Sequence, residues 1–365
     1  MSKKNDNLLA PQVKEGARVK KEIKPMSHPP KPPPSKAIKS LQYDLFSQFV
    51  TNDSESVSNT IELWESIPKY FFTPAQVKKL RTPDGLASPF KQPYVFKGID
   101  CEVTIHPALI EQEGGYFKAF FPGVTEELVE EALKKILADQ NYGIHDPIKS
   151  ETWVKFSLKM VQRELERRGK SRSISEVKHA IQVMSLTNLT LSKGKKQLWS
   201  GSILQDLLTV DREEYKDDFK ALHAARLPLF ISNAIDKLEY RQFNIDRLMN
   251  LNTQLTRWLY KRLIHRYKQA DIANNYHFRF LTVKEESNYL GAKLERQNRH
   301  KMAESLKQLK AEGVLSNYEV EEIKEGRSIV DVKYTVTASL DFRKEQKAAN
   351  AAASKRRLIF ADKSK

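Results

Sequence analysis

Apolar residues recur at helical spacing near the carboxyl-terminal end of the chain. The stretch TQLTRWLYKRLIHRYKQA, residues 253–270, places Arg and Lys on the face opposite its apolar positions, which are Leu255, Trp258, Leu259, Leu263 and Tyr267. Apolar residues three and four positions apart lie on one face of a helix. In HFRFL, which follows, Phe278 and Phe280 alternate with a basic residue, as in a short strand. The pattern therefore predicts a helix and then a strand.

Two more helices and a hairpin are predicted after this strand. Thr282 and Glu285 have the spacing of a capping box, which predicts a short helix that Gly291 ends. The next helix covers residues 293–313, with Gly313 as its C-terminal cap. Its inner stripe consists of Met302, Leu306 and Leu309. The segments VLSNYEVEEI and SIVDVKYTVTASLDF, separated by KEGR, predict a β-hairpin.

This order of elements is that of a winged helix-turn-helix, whose third helix enters the major groove of DNA while the hairpin lies beside it on the backbone. Five polar or basic residues at the exposed start of the third helix are predicted to contact base edges: Arg296, Gln297, Arg299, His300 and Lys301. Arg binds guanine and Gln binds adenine through two hydrogen bonds. Candidates for holding phosphates are Lys301 and Lys307 on the helix and Lys324 and Arg327 on the hairpin. A basic helix that only faces water is the alternative, and the surrounding frame favours DNA.

A similar order of elements is predicted upstream. Residues 124–143 form an amphipathic helix whose inner positions are Leu128, Val129, Leu133, Ile136 and Leu137. A strand (WVKFS), a helix closed by Gly169, and a helix capped by Ser175 follow. This last helix has Val177, Ile181 and Met184 inward and Lys178, His179 and Gln182 outward. LTLSKGKKQLWSG predicts a hairpin with Lys193, Lys195 and Lys196 at its tip, and strands in ILQDLLTV and LPLFISNAI follow it.

The two ends of the chain differ from this folded part. Residues 1–40 are rich in Lys, Pro and Ser, a composition that predicts disorder, and the Ala-rich, basic carboxyl-terminal end is similar. The fold class expected is α+β: two tandem winged-helix domains between a disordered basic leader and a disordered tail. The boundaries expected are 1–56 for the leader, 57–240 for a first domain with an irregular lead-in and a strand insertion, 241–342 for a second, DNA-binding domain, and 343–365 for the tail.

Charge and cysteine content narrow the class of partner. The formal net charge of +16 over 365 residues is typical of a protein that meets a polyanion, of which nucleic acid and an anionic membrane surface are the usual ones. Cys101 is the only cysteine, which excludes a disulfide framework and a thiolate metal cluster. No apolar run approaches the length of a membrane span. We expect a cytoplasmic protein without a membrane partner.

A short apolar cassette follows the Pro-rich leader. After PPKPPPSKAIKS comes LQYDLFSQFV, which contains Gln42, Asp44, Leu45 and Phe46. Two interpretations remain open: the cassette packs on the first domain, or it binds another protein as a linear motif. Leu45 and Phe46 could fill one apolar pocket while Gln42 hydrogen-bonds at a second point.

With this cassette and the tandem units, the chain resembles the iteron-binding replication initiators of bacterial plasmids, in particular the broad-host-range type. The resemblance covers roughly residues 40–342, mostly through the order of elements. Some of those initiators carry a glutamine-led motif, Gln-Leu-Ser/Asp-Leu-Phe, that binds the bacterial sliding clamp. Here Gln42, Asp44, Leu45 and Phe46 match this motif, and Tyr43 stands where Leu is usual.

The resemblance implies a protein that binds repeated sites in double-stranded DNA at a plasmid origin, promotes opening of the duplex and recruits host machinery. The implied partners are the sliding clamp, the replicative helicase and the host initiator, in a bacterial cytoplasm where the protein is associated with the plasmid. Members of the family are often dimers that become monomers to bind origins. The alternative is a winged-helix transcriptional repressor or a partition-type DNA-binding protein, neither of which has a use for the cassette.

Enzymatic interpretations find little support in the sequence. There is no G-x-x-x-x-G-K-[ST] loop, no closely spaced His pair and no cluster of metal ligands, so we expect no catalytic activity, no metal and no cofactor. His223 and Arg226 in HAAR, with Tyr240 downstream, match part of a tyrosine-recombinase constellation. The recombinase interpretation is the weakest of the alternatives, because the sequence contains no recognisable motif around the second, upstream Arg that such an enzyme needs.

Overall fold

The computed structural model describes residues 56–138, 142–209, 222–271 and 273–363, with side chains as far as 358. Helices and strands alternate through all of these ranges. The elements as far as residue 208 are, in chain order, β1 (Val57–Thr60), α1 (Glu62–Ser66), α2 (Pro74–Leu80), β2 (Phe90–Phe96), β3 (Ile99–His106), β4 (Ala108–Glu111), β5 (Phe117–Phe120), α3 (Val124–Leu137), β6 (Gly143–Asp146), β7 (Glu151–Phe156), α4 (Leu158–Glu166), α5 (Ile174–Leu186), β8 (Asn188–Lys193), β9 (Lys196–Ser202) and β10 (Gln205–Leu208).

The remaining elements begin after residue 222. They are β11 (His223–Arg226), α6 (Leu229–Asp236), β12 (Arg241–Asn244), α7 (Ile245–Asn250), α8 (Gln254–Arg266), β13 (Tyr276–Arg279), α9 (Phe280–Ser287), α10 (Glu295–Ala311), β14 (Leu315–Glu325), β15 (Ser328–Ala338) and α11 (Leu340–Lys363). The expected mixture of helix and strand is therefore confirmed.

The elements from α8 to β15 have the predicted order of helix, strand, helix, helix and hairpin. Strand β15 pairs antiparallel with both β13 and β14, so the strand between the first two helices and the hairpin form one sheet. The inner stripe of α10 is buried as expected, at Met302, Leu306 and Leu309. Gly313 follows the helix with a φ of 68°, a left-handed conformation that favours glycine at this position.

The predicted capping box of α9 is wrong. The helix begins at Phe280, two residues before Thr282, and Arg279 at its N-cap makes no side-chain cap. The backbone N–H of Leu281 donates instead to the carboxylate of Asp331 on β15, at 3.1 Å. The helix ends at Ser287, and Asn288, whose φ of 60° is left-handed, follows it, three residues before Gly291. A tertiary contact with the hairpin therefore replaces the local cap.

The upstream unit has the predicted order of elements but a different pairing of strands. Strand β7 pairs with β6 and β11, whereas the β8–β9 hairpin pairs through β8 with β3. The strand and the hairpin thus belong to two separate sheets, β10-β11-β7-β6 and β2-β3-β8-β9. The N-cap of α5 is Ser173, which forms a capping box with Glu176, and not Ser175. The apolar run 227–235, expected as a strand, contains helix α6.

The expected disordered tail is also wrong for most of its length. Helix α11 runs from Leu340 to Lys363 and packs against β12. Phe342 and Ala349 on its inner side are buried, and Gln346 is 2% exposed. An Ala-rich run has the highest helix propensity, and here the apolar and amide side chains on one face bind the helix to the body.

The domain boundaries themselves stay predictions. Residues 1–55, which include the cassette at 42–46, lie outside the described residues. Among the helices that are described, none combines the length and the apolarity that a bilayer crossing requires.

Candidate nucleic-acid interface

Helix α10 has one packed face and one free face. Its packed face contains Asn298, Ser305 and the apolar stripe. Arg296, His300 and Lys307 are exposed and follow one another at intervals of four and seven residues, so they lie along one line opposite the core. This line, with Ala303 in its middle, forms a narrow cationic ridge without a large side chain at its centre. Such a ridge suits close approach to a polyanion.

The amino-terminal end of α10 is held in place by two polar contacts. The buried side chain of Asn298 turns back, accepting from the N–H of Ala292 and donating to its carbonyl, both at 2.9 Å. Glu295 forms an ion pair with Lys284 of α9, and this hydrogen bond holds the pKa of Glu295 below its usual value. The two helices therefore keep a fixed relation where base contacts are expected.

The other predicted side chains of α10 flank the ridge. Gln297 and Lys301 are exposed and lie four residues apart on one flank. Arg299 is half-buried on the other flank, on the side of Tyr334 of β15. Burial raises the pKa of Tyr334 to about 12, and the nearby charge of Arg299 opposes that rise. Arg299 is thus the more constrained of the two arginines.

The β14–β15 hairpin is more acidic than the sequence interpretation assumed. Lys324 and Arg327 are exposed as predicted, but the exposed acids of β14 outnumber them: Glu319, Glu321, Glu322 and Glu325. Lys324 forms an ion pair with Glu322 at 2.8 Å, and Lys333 forms one with Glu321 at 3.1 Å. These carboxylates oppose contact between the strand and phosphates, which leaves Arg327 at the turn as the better phosphate candidate.

The predicted residues of the upstream unit fall into two groups. Lys178 and Gln182 are exposed one helical turn apart on α5, whereas the ring of His179 packs edge-on against Phe120 with 4.6 Å between centroids. Lys193, Lys195 and Lys196 are all exposed around the Gly194 turn, whose φ is 55°. In the part of the chain that the structure describes, no hydrogen bond or ion pair joins either group to α10. The residues thus form separate basic surfaces.

A buried ion network, which the sequence analysis missed, joins the two units. Its members come from α1, α3 and α8 and the segment after α1: Glu65, Lys69, Glu127, Glu130, Glu131, Lys134, Arg257 and Lys261. Glu127 and Glu131 lie one turn apart on α3, opposite Arg257 and Lys261, one turn apart on α8. This matching i,i+4 spacing can be seen in the sequence. The sequence alone does not show, however, that α3 and α8 lie against each other.

The geometry of the network is close throughout. Arg257 donates through Nε and Nη2 to the two oxygens of Glu127, at 2.9 and 2.7 Å. Lys261 donates to Glu131 at 2.6 Å and to Glu65 at 2.7 Å. Burial alone would raise the pKa of Glu65, but Lys134 and Lys261 hold it well below its usual value. The network therefore consists of charged groups that stabilise each other away from water.

One arrangement resembles a catalytic triad but is closed to substrate. His145 contacts Thr152 through Nδ1 and Asp236 through Nε2, each at 2.8 Å. The hydroxyl of Thr152 also accepts a hydrogen bond from Ser232 at 2.9 Å, and no part of Thr152 is exposed. The nucleophile position is thus inside the core, where this polar chain joins β6, β7 and α6.

The tyrosine that a recombinase would need as its nucleophile is also buried. Tyr240 is 3% exposed, and its ring lies 4.3 Å beneath the guanidinium of Arg356. Burial raises the pKa of Tyr240 to about 12, which disfavours its attack on a phosphate. Arg226 forms an ion pair with Asp206 at 2.5 Å. Within the described ranges, no three His, Cys, Asp or Glu side chains come together as metal ligands.

Comparison with known proteins gives distant likenesses only. No family model and no curated protein matches the chain. A crystal structure of domains 2 and 3 of RctB is similar over 76% of this chain and 98% of its own, with 13% identity and a TM-score of 0.45. A structure of the Pi initiator protein in complex with iteron DNA is similar over 80% of this chain and 100% of its own, with 12% identity and a TM-score of 0.35. At these values the likeness assigns no function to this chain.

Proposed function

We propose that this protein is a sequence-specific DNA-binding protein whose helix α10 enters the major groove of a duplex. The observation that carries the proposal is the cationic ridge of Arg296, His300 and Lys307 on the free face of a helix whose opposite face is packed in a helix, strand, helix, helix and hairpin frame. In a winged helix-turn-helix this is the position of the recognition helix. The exposed start of α10 then meets base edges, and Lys307 meets a phosphate.

The upstream unit acts in this proposal as a second helix-and-hairpin surface on the same duplex. Its α5 supplies Lys178 and Gln182, and its hairpin supplies the three exposed lysines. The ion network between the units fixes their spacing, so the two helices would meet successive sites at a set distance. A rigid pair of this kind suits repeated sites in one orientation, as at a replication origin, and the proposed role is that of an initiator which catalyses nothing.

An initiator of this kind would open the duplex with binding energy alone. Bending a site of 20–30 base pairs costs on the order of 1–6 kcal/mol, which contacts from two units could supply. Recruitment of the host machinery, including the sliding clamp, helicase and host initiator, would follow in a bacterial cytoplasm, and a dimer that dissociates to bind the origin belongs to the same proposal.

Selection of bound sequences from random duplex DNA tests this role. The proposal predicts enrichment of a motif that recurs as direct repeats at one spacing. Enrichment of a single palindrome would indicate a repressor instead, and no enrichment over the starting pool would contradict sequence-specific binding altogether.

The lysine hairpin gives a separate prediction. Replacing Lys193, Lys195 and Lys196 with Gln should weaken binding to any duplex and lower the slope of log K against log salt by about one for each lost phosphate contact. The measurement is fluorescence anisotropy of a labelled duplex over a series of salt concentrations. The matched control changes three other exposed lysines, Lys78, Lys79 and Lys149, to Gln. Equal slopes in the two variants would show that the hairpin does not touch DNA.

The cassette at 42–46 gives a prediction about the clamp. A labelled peptide of residues 38–52 should bind purified sliding clamp saturably, and Leu45→Ala with Phe46→Ala should abolish that binding because both apolar anchors are lost. Tyr43→Leu should tighten it. In the full chain, the double change should leave DNA binding intact. If the wild-type peptide binds no better than a scrambled one, or if the double variant unfolds the first domain, the cassette packs on that domain and does not bind the clamp.

A further inference from the structure

A basic cavity of about 590 Å³ adjoins the carboxyl-terminal end of α8, and none of the DNA-binding candidates described above lines it. Its walls come from the start of α1, the end of β2 and the turn after it, α6, β12, the end of α8 and α11. Phe96, Phe230 and Tyr240 give it aromatic surface. A volume of this size holds a small organic ligand.

Arg241 lines this cavity without an acidic partner. Its side chain is 9% exposed, and its Nη2 donates only to neutral amides of α11, to Gln346 at 2.7 Å and to Asn350 at 3.0 Å. Its Nε has no hydrogen-bond acceptor. Among the described residues, no carboxylate lies within ion-pair distance of this guanidinium. A buried cation in such a setting is costly unless an anion arrives.

A second buried arginine adjoins the first. Arg356 of α11 is 1% exposed, and its guanidinium lies over the ring of Tyr240. It donates one long hydrogen bond, 3.4 Å, to the carbonyl of Tyr240, while Nε and Nη1 have no acceptor. Burial and the charge of Arg356 both lower the pKa of Arg241. Two like charges therefore share one buried region, and three of their nitrogens have no hydrogen-bond acceptor.

Arg257, a buried arginine with a structural role, differs from Arg241 and Arg356 because it has a carboxylate partner. Arg257 is 2% exposed, and it donates to both oxygens of Glu127 and to the carbonyl of Leu251. Arg241, at 9% exposed, and Arg356, at 1%, are also buried but have no carboxylate partner among the described residues.

The rim of the cavity is also cationic. Lys97, Lys237, Lys268 and Arg357 line it and are exposed, whereas its acidic residues are Glu62 and Glu239. Lys97 pairs with Glu62 at 2.9 Å, and Arg266 does so at 3.3 Å, so that carboxylate is already neutralised. His265 in the wall stays neutral, since burial lowers its pKa to about 3. The excess positive charge of the cavity comes from permanent cations.

We propose that this cavity binds a small phosphorylated ligand of the nucleoside di- or triphosphate class. Guanidinium groups bind phosphoryl oxygens through charge-assisted hydrogen bonds. Arg241 lines the cavity and its Nε has no acceptor, whereas Arg356 lies outside the lining and adds positive charge nearby. The exposed lysines and Arg357 attract the remaining phosphates. The aromatic wall of Phe96, Phe230 and Tyr240 accepts the base. The site is distinct from α10, so a bound nucleotide would act as an effector at a distance from the DNA contacts.

Isothermal titration calorimetry of the full chain with ATP, ADP and inorganic pyrophosphate, at constant ionic strength, tests the site. We expect saturable binding with one site per chain, with adenosine failing to bind because it lacks the phosphates. Arg241→Gln should weaken ATP binding about tenfold or more, the equivalent of one charged hydrogen-bonding group. The matched control, Arg163→Gln on the exposed face of α4, should stay within about twofold.

A rim variant keeps the test decisive if Arg241→Gln does not fold. Lys237 and Lys268 are exposed, so changing both to Gln leaves the core untouched and should weaken ATP binding about threefold or more. Wild-type protein that binds ATP no better than it binds chloride at equal ionic strength would overturn the proposal. So would a rim variant that binds ATP as tightly as Arg163→Gln does.

The DNA backbone also carries phosphates and could occupy the cavity in place of a nucleotide. Competition between ATP and a random duplex distinguishes the two ligands. A random duplex should not displace ATP from the wild-type chain, and Arg296→Ala should bind ATP normally while losing DNA affinity. If the duplex displaces ATP stoichiometrically and Arg241→Gln weakens DNA binding as much as ATP binding, the cavity holds DNA backbone and the nucleotide assignment is wrong. Failure of Arg296→Ala to affect DNA would count against the proposed function and leave this site standing.

Discussion

Replacing Arg257 with leucine is expected to lower the free energy of unfolding by about 3–5 kcal/mol. The change leaves Glu127, which is 6% exposed, without the cation that holds both of its oxygens. Glu131 and Glu65 lie in the same network, so their charges add to the repulsion that the freed carboxylate meets. Equilibrium denaturation in urea at neutral pH, followed by circular dichroism, measures the loss.

Two controls separate the lost charge from the lost contact area. Glu127→Leu combined with Arg257→Leu removes both charges and should recover most of the stability, because a well-packed apolar pair often matches a buried ion pair. Arg163→Leu changes an exposed arginine of α4 and should alter stability by about 0.5 kcal/mol or less. If Arg257→Leu behaved like Arg163→Leu, Glu127 would be reaching water and the network would not join the two units.

Replacing Arg296 with alanine is expected to cost about 1–3 kcal/mol of binding free energy on the selected sequence and much less on random DNA. Arg296 is exposed in the first turns of α10, at the end of the cationic ridge, where a recognition helix contacts base edges. Arg299→Ala should show the same kind of discrimination. Fluorescence anisotropy on the two duplexes at one salt concentration gives the difference.

Lys307 is the matched control for this prediction. It lies on the same ridge but beyond the first turns of the helix, and its replacement with alanine should weaken binding to both duplexes by similar amounts. Equal losses on both duplexes for Arg296→Ala and Arg299→Ala would reduce these arginines to phosphate contacts, and base reading by α10 would be wrong.

Local patterns predicted the second unit well because its signals lie within single elements. The stripe of Met302, Leu306 and Leu309 needs only helical periodicity, and the position of Gly313 needs only the chemistry of a helix end. The hairpin needs only a turn between two alternating runs. What failed here was α9, because its amino-terminal partner, Asp331, lies 50 residues further along the chain.

The upstream unit failed where pairing depends on distant parts of the chain. Strand β7 pairs with β11 on one edge and β6 on the other, and β3 pairs with β8 of the hairpin. No local pattern encodes those choices. Residues 227–235 form too short an apolar run to separate strand from buried helix by periodicity. The acids of α3 look like a solvated face, yet Glu127, Glu130 and Glu131 are buried because α8 brings cations to Glu127 and Glu131, and Lys134 of α3 itself pairs with Glu130.

The acidic strand β14 shows a different limit. Lys324 and Arg327 are in the positions that the sequence predicts, but a list of basic residues does not weigh Glu319, Glu321, Glu322 and Glu325 around them. The net charge of a surface can be evaluated only when the fold shows which acidic and basic residues lie side by side. For that reason α10, whose ridge is free of acids between Arg296 and Lys307 along one line, is the stronger candidate.

Site-specific photocrosslinking tests the docking of α10 on DNA most directly. A photoreactive side chain is placed at the position of His300, in the middle of the ridge, and in a matched protein at Ile148, which is 66% exposed in the β6–β7 turn. With the selected duplex bound and irradiated, the account predicts strong crosslinking from position 300, to bases within the selected motif, and little from position 148. Bound DNA that crosslinks equally from both positions, or from neither, would contradict it.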